Sequence, residues 1–181
     1  MNVSLIKRIR QHDQQAMSAL YQQCVGMLSS VCYRYVPTKD DAKDILQNSF
    51  VKIFKAIPKM EYRDENTFKR WMVRIVVNES ISFLRSQKRL QYVEQDAREM
   101  VHLPNEEEPD SDFISVEVLH QLVKELPDGY RTVVNLYVFE GWSHKQIAEI
   151  LGIKESTSAS QLYYAKRVLA KRIKEIMKEE R

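Results

Sequence analysis

Apolar residues recur at every third or fourth position along nearly all of this chain, and the helix breakers fall between the runs. Such spacing lines side chains along one face of an α-helix and does not fit the two-residue period of a strand. Leu5, Ile6 and Ile9 share one side of a short segment from Ser4 to about Gln11. Ala16, Leu20, Cys24, Leu28, Val31 and Tyr35 form a longer run, with Asp13 as its expected cap and Pro37 as its stop. Thr38 opens a third run through Ala42, Ile45, Leu46, Ser49, Phe50, Ile53 and Ile57, closed by Pro58. Its first turn carries Asp40 and Asp41, where the helix dipole favours negative charge. A fourth runs from Thr67 to about Leu84, with Asn66 as the expected cap. It is apolar on two stripes (Phe68, Trp71, Met72, Ile75 and Val73, Val77, Ile81, Leu84), which predicts the buried centre of a domain.

From Gln91 the period stops, and it resumes only with Val116, Leu119, Leu122, Val123 and Leu126, ended by Pro127. Asp128 is the expected cap of a further helix on Tyr130, Val133, Val134 and Tyr137, which Gly141 terminates. The intervening stretch is rich in Pro and Glu and reads as a flexible acidic linker. The expected fold class is therefore all-α: two small helical domains, 1–90 and 116–181, joined by a linker over 91–115. A formal net charge of +3 conceals an asymmetry between these parts. Residues 91–117 hold nine Asp or Glu and one Arg, a local net of −8, which leaves +11 on the remainder. A basic body implies a polyanionic partner, and the acidic strip is either a spacer or a mimic of that polyanion.

Several classes are excluded. No apolar run approaches the roughly 18 residues that span a membrane. Lys7, Arg8 and Arg10 interrupt any signal-peptide core, so a cytoplasmic protein is expected. Cys24 and Cys32 lie eight residues apart on one helix, roughly 12 Å along its axis. That distance precludes a disulfide, and both read as buried small hydrophobes. His12, His102, His120 and His144 are scattered, with no Gly-rich phosphate loop and no nucleophile beside a base. No catalytic residue, metal ligand, cofactor or small-molecule substrate is expected, and the chain does not read as an enzyme.

The segment from Gly141 to about Lys171 carries the most specific local pattern. Ser143 and Gln146 form a capping-box pair, and Ile147, Ile150 and Leu151 share a face. Gly152 supplies a positive φ, and a second helix begins near Glu155 with Leu162, Ala165 and Leu169 inward. Two helices joined by a tight Gly turn make either a plain αα-hairpin or a helix-turn-helix. Ala148 is small where crossing helices approach, and Thr157, Ser160, Gln161, Tyr163, Tyr164 and Arg167 form a polar, aromatic face suited to a major groove. These features favour the DNA-reading alternative.

Three segments together resemble the extracytoplasmic-function (ECF) sigma factors, the smallest class of bacterial RNA polymerase specificity subunits. Asp41-Ala42-Lys43-Asp44-Ile45-Leu46-Gln47-Asn48-Ser49-Phe50 resembles the family's polymerase-binding helix. Phe68 to Asn78, with Leu84-Arg85 following, is similar to its promoter-melting helix. Leu126-Pro127 to Arg131, then Glu140 through Leu169, is similar to its minus-35-reading domain. The three cover almost the whole chain in the family's order.

The resemblance implies partners and roles. Asp41, Asp44, Gln47 and Asn48, with Ile45 and Phe50 of the same motif, would bind core RNA polymerase at the clamp helices of its largest subunit. The loop Glu61–Thr67 would capture a base flipped from the minus-ten element, through Tyr62, Arg63, Asp64, Asn66 and Thr67, while Lys69, Arg70 and Arg74 would grip phosphate. Thr157, Ala159, Ser160, Tyr163, Tyr164 and Arg167 would meet the minus-35 element of promoter DNA. Ala159 and Gln161 stand where Lys or Arg is frequent in the family, and Ser158 where an apolar residue is usual. Bidentate Arg-to-guanine readout is thus unavailable from Ala159, which shifts the expected specificity toward shape and phosphate contacts. An anti-sigma factor, often membrane-bound in this family, would hold the two domains inactive. The alternative reading is a helix-turn-helix activator with an N-terminal sensory domain.

Overall fold

The computed structural model describes residues 2–90, 92 and 114–179, so most of the acidic linker expected at 91–115 lies outside the described residues. The chain divides into two compact units, Met1–Ser86 and Gln87–Arg181. Among the described residues every regular element is helical.

The first unit contains α1 (Val3–Arg10), α2 (Gln14–Tyr35), α3 (Lys39–Ala56) and α4 (Glu65–Ser86), with a single 3₁₀ turn at Ile57–Lys59. Helices α2, α3 and α4 pack mutually, and α1 lies against α2 and the 3₁₀ turn. The core follows the expected spacing. Ala16, Leu20, Cys24, Leu28, Val31 and Tyr35 are buried on α2, and Ala42, Ile45, Leu46, Ser49, Phe50 and Ile53 on α3. Asp13 accepts from the amides of Gln15 and Ala16, and Thr38 from that of Asp41, so both caps form as expected. Cys24 and Cys32 are buried free thiols, and burial pushes the Cys32 thiol up to about 12.

Two expectations for α4 fail. The helix starts two residues earlier than expected, and its cap is Asp64 rather than Asn66. Asp64 Oδ1 accepts from the Thr67 amide at 2.8 Å and Oδ2 from the Thr67 hydroxyl at 2.6 Å. A carboxylate three residues ahead of a Thr has two oxygens and accepts from both its amide and its hydroxyl, which leaves Asn66 exposed on the first turn. Nor is α4 buried all round. Phe68, Met72, Val76, Val77, Ser80, Ile81 and Leu84 are buried, whereas Trp71, Val73 and Ile75 are half-exposed.

The second unit contains α5 (Val116–Glu125), α6 (Asp128–Val134), α7 (His144–Leu151) and α8 (Glu155–Glu179). Helix α6 runs on as a π-turn at Asn135–Phe139. Inserting an extra residue per turn rotates everything beyond it, so Tyr137, expected inward, is 41% exposed beside Val138 at 58%. On α5, Leu122 and Val123 are buried, but Val116 and Leu119 face outward. Asp128 is the first residue of α6 rather than its cap; Pro127 holds the cap position without a side-chain hydrogen bond. The Asp128 carboxylate pairs instead with Arg131, whose guanidinium is 3% exposed and donates to the carbonyls of Lys124 at 2.9 Å and Leu126 at 2.7 Å. One buried arginine thereby satisfies the carboxyl end of α5 and fixes the corner into α6.

Candidate polymerase and promoter interfaces

On α3, the residues left outside the core form one continuous stripe. Asp44, Gln47 and Asn48 are exposed, and Val51, 50% exposed, continues them one turn further. Asp41 is half-exposed at the amino end. Ile45 and Phe50 do not belong to this stripe. They are 1% and 4% exposed and face α2 and α4, because a helix cannot turn the same residues to a core and to a partner. Phe50 packs its ring on Tyr21 of α2 at a centroid distance of 4.6 Å, so both residues support α3 from its inner side. Val51 stands seven residues from Asp44, on the same face, outside the polar motif. Its outward position makes the surface mixed polar and apolar rather than purely charged.

Between the 3₁₀ turn and α4, residues Met60–Asp64 form an irregular loop. Tyr62 is half-buried with its ring centroid 5.7 Å from that of Phe68, and Phe68 in turn stacks on Trp71 at 5.4 Å. Arg63 is exposed, paired loosely with Glu61 at 3.3 Å. Asp64 and Thr67 are engaged with each other in the cap, which holds the Asp64 carboxyl below its ordinary range. Lys69 bonds Glu65 at 2.6 Å, and this contact draws the Glu65 carboxyl down to about 2. Asn66, Arg70 and Arg74 follow at four-residue steps and are all exposed, forming a polar and cationic stripe leading away from the loop. The geometry sets an aromatic cluster beside the exposed side chains of Arg63, Asn66, Arg70 and Arg74 along the loop and the first turns of α4.

In the second unit, the helix-turn-helix forms as its sequence pattern requires. The Ser143–Gln146 capping box is complete in both directions, and Gly152 adopts φ 68. Ile147 and Leu151 are buried on α7, Leu162 and Ala165 on α8, and the two helices pack together. Ile150, Ala148 and Leu169 are half-exposed, so the contact is narrower than expected.

The reading face is corrected more strongly. Thr157 is 3% exposed, and Ser160 and Gln161 are fully buried, so none of them forms part of an open face. The Ser160 hydroxyl bonds back to the Thr157 carbonyl at 3.0 Å. What remains accessible is Ala159, Tyr163, Tyr164 and Arg167, all half-exposed, with Lys166 and Lys171 beyond. Tyr163 and Tyr164 meet edge to face at 5.5 Å, and the Arg167 guanidinium lies 6.0 Å above the Tyr163 ring.

Residues 20–90 match the sigma-70 region 2 family, and residues 117–169 match the sigma-70 region 4 family. RNA polymerase sigma factor SigV of Bacillus subtilis is 32% identical over 160 residues, covering 86% of this chain and 92% of that protein. This chain belongs to the ECF branch of the sigma-70 family. The ECF RNA polymerase sigma-E factor of Haemophilus influenzae is 27% identical over 184 residues, 96% of each chain. In three dimensions, the sigma factor RpoE of Bartonella quintana, solved with the anti-sigma factor NepR, shares the fold. It aligns at a TM-score of 0.52 and 18% identity over 87% of this chain and 96% of that one.

As an ECF sigma factor the protein binds core RNA polymerase and promoter DNA and directs the enzyme in transcription initiation. The region 2 match spans α2 to α4, including both the α3 stripe and the loop before α4. That match replaces the sensory domain that an activator would carry there. Helix α1 precedes the matched residues. No helix among the described residues is long and apolar enough to cross a membrane.

Proposed function

We propose that residues 1–90 dock on the polymerase and open the minus-ten region, while 116–181 hold the minus-35 element. The acidic segment 91–115 tethers the two grips so that both act on one promoter. The observation carrying this reading is the exposed run from the Met60–Asp64 loop along Asn66, Arg70 and Arg74. Bases released by melting are caught by stacking and by contacts to their pairing edges, with cations tracking the backbone. Tyr62, Arg63 and Asn66 supply the first kind of contact, and Lys69, Arg70 and Arg74 the second. Asp64 and Thr67 act behind them by fixing the start of α4. The docking face is Asp41, Asp44, Gln47, Asn48 and Val51, turned to the clamp helices of the largest polymerase subunit. Minus-35 contact falls to Ala159, Tyr163, Tyr164 and Arg167 rather than to Thr157 and Ser160.

The protein acts as a non-catalytic, cytoplasmic subunit held off by an anti-sigma factor. The RpoE relative was solved bound to one, which supports a partner of that kind here. The reading is tested by run-off transcription on genomic fragments with purified core polymerase. Discrete transcripts that depend on this protein are expected. A chain that neither binds core nor starts transcripts defeats the reading.

A further inference from the structure

The loop that precedes α4 is fixed at its downstream end by the Asp64–Thr67 cap. Its upstream end is fixed from a different part of the chain. Arg10, the last residue of α1, donates from Nη2 to the Met60 carbonyl at 2.5 Å and from Nε to the Ile57 carbonyl at 3.4 Å. The acceptors are the first residue of the 3₁₀ turn and its carboxyl cap, and the Met60 amide itself donates to the Ile57 carbonyl at 3.3 Å. Helix α1 is itself seated by Ile6 and Ile9, which are 1% and 3% exposed, so the arginine reaches out from a fixed base. A guanidinium presents donors in a rigid fork and can hold two carbonyls at a set spacing. An ammonium on a flexible stem cannot. Three residues, Glu61, Tyr62 and Arg63, therefore hang between two anchors, one of them supplied from fifty positions away in sequence.

We propose that Arg10 is a positioning residue for promoter melting, pinning the upstream end of the Met60–Asp64 loop so that Tyr62 and Arg63 are placed before a base arrives. This rests on the base-capture reading of that loop. Pre-placement matters because ordering a loop on binding subtracts from affinity. It also gives α1, which lies ahead of the family-matched residues, a part in DNA opening.

The test uses holoenzyme assembled from core polymerase and the full chain. The probe is a fluorescent single-stranded oligonucleotide bearing the minus-ten segment of a promoter found by run-off transcription. Arg10→Ala is expected to weaken probe binding roughly tenfold, equivalent to about 1.4 kcal/mol. Arg10→Lys is expected to fall between Arg10→Ala and the parent. Lys7→Ala removes a neighbouring exposed cation of α1 and is expected to change nothing. Core affinity and thermal unfolding should match the parent throughout, since Arg10 is exposed and the helix is held by its isoleucines. Full activity in Arg10→Lys, or an equal loss in Lys7→Ala, would mean that charge alone matters and overturns the proposal. So does parent-like binding by Arg10→Ala while Arg63→Ala and Asn66→Ala bind weakly. If Arg63→Ala and Asn66→Ala bind like the parent, the loop reading itself fails and the proposal goes with it.

Discussion

His144 Nδ1 lies 3.0 Å from the Ser158 hydroxyl, joining the first residue of α7 to the first turns of α8 across the helix-turn-helix. Ser158 is fully buried, at a place where the family usually has an apolar residue, and the imidazole gives its hydroxyl a partner. Tyr137 covers the other side of the ring, nearly parallel at 4.7 Å. The π-turn in α6 puts that tyrosine within reach.

His144→Phe keeps the ring stack but strands a buried hydroxyl, which costs about 1–3 kcal/mol. Replacing both partners, His144→Phe with Ser158→Val, should recover most of that loss, since neither polar group then remains. Urea denaturation of the four proteins of the cycle measures it. Burial also lowers the His144 pKa from its ordinary 6.5, against an opposing pull from Glu155. A depressed histidine stabilises the fold above 6.5 and loses that contribution as pH falls through its folded value. The second unit should therefore weaken on mild acidification, and His144→Phe should remove that sensitivity.

Arg131 holds two backbone carbonyls and the Asp128 carboxylate from an almost inaccessible position. Arg89 Nε also approaches Asp128, at 2.6 Å. Arg131→Ala leaves these groups buried without their main donor, so a loss of about 3 kcal/mol is expected. Arg131→Lys should rescue little, because one ammonium cannot span two carbonyls and a carboxylate. Thermal unfolding followed by circular dichroism checks both.

At the start of α4, the contacts to Thr67 lower the Asp64 pKa, and those to Lys69 bring Glu65 from 4.5 to about 2. Depressed carboxylates stabilise above their ordinary pKa, and the contribution disappears as pH falls from about 4.5 toward about 2. The Thr67 amide, held by Asp64, should lose protection before the rest of α4 does as pH falls below 3.8, the ordinary Asp value, as read by nuclear magnetic resonance. Asp64→Asn should preserve the cap at neutral pH and Asp64→Ala should not.

Asp44→Arg reverses a charge at the centre of the exposed α3 stripe. Core polymerase affinity should fall about tenfold, as like charges meet at a docked interface. Binding of the isolated protein to minus-35 duplex should stay unchanged. Fluorescence anisotropy against core and against DNA separates the two.

Much of the local chemistry was legible in the sequence, although the caps expected at Asn66 and Asp128 did not form. The apolar spacing of α2 and α3, the caps at Asp13, Thr38 and Ser143, and the turn at Gly152 each depend on residues within one or two turns of one another. The same holds for the three family motifs, each carried by short local stretches of the chain. Periodicity names the residues that share a face, but it does not say what covers that face. Ile45 and Phe50 belong both to the inward stripe and to the polymerase-binding motif and are core, while Thr157, Ser160 and Gln161 looked polar and open and are buried. The π-turn after Val134 needs only one extra residue to turn Tyr137 and Val138 outward, and no composition signal marks it. The grip of Arg10 on Met60 and the bond from His144 to Ser158 join residues 50 and 14 positions apart. Sequence determined the helices, several of their caps and the family. Packing decided which residues those helices leave free to meet polymerase and DNA, because burial depends on neighbours that the local pattern does not specify.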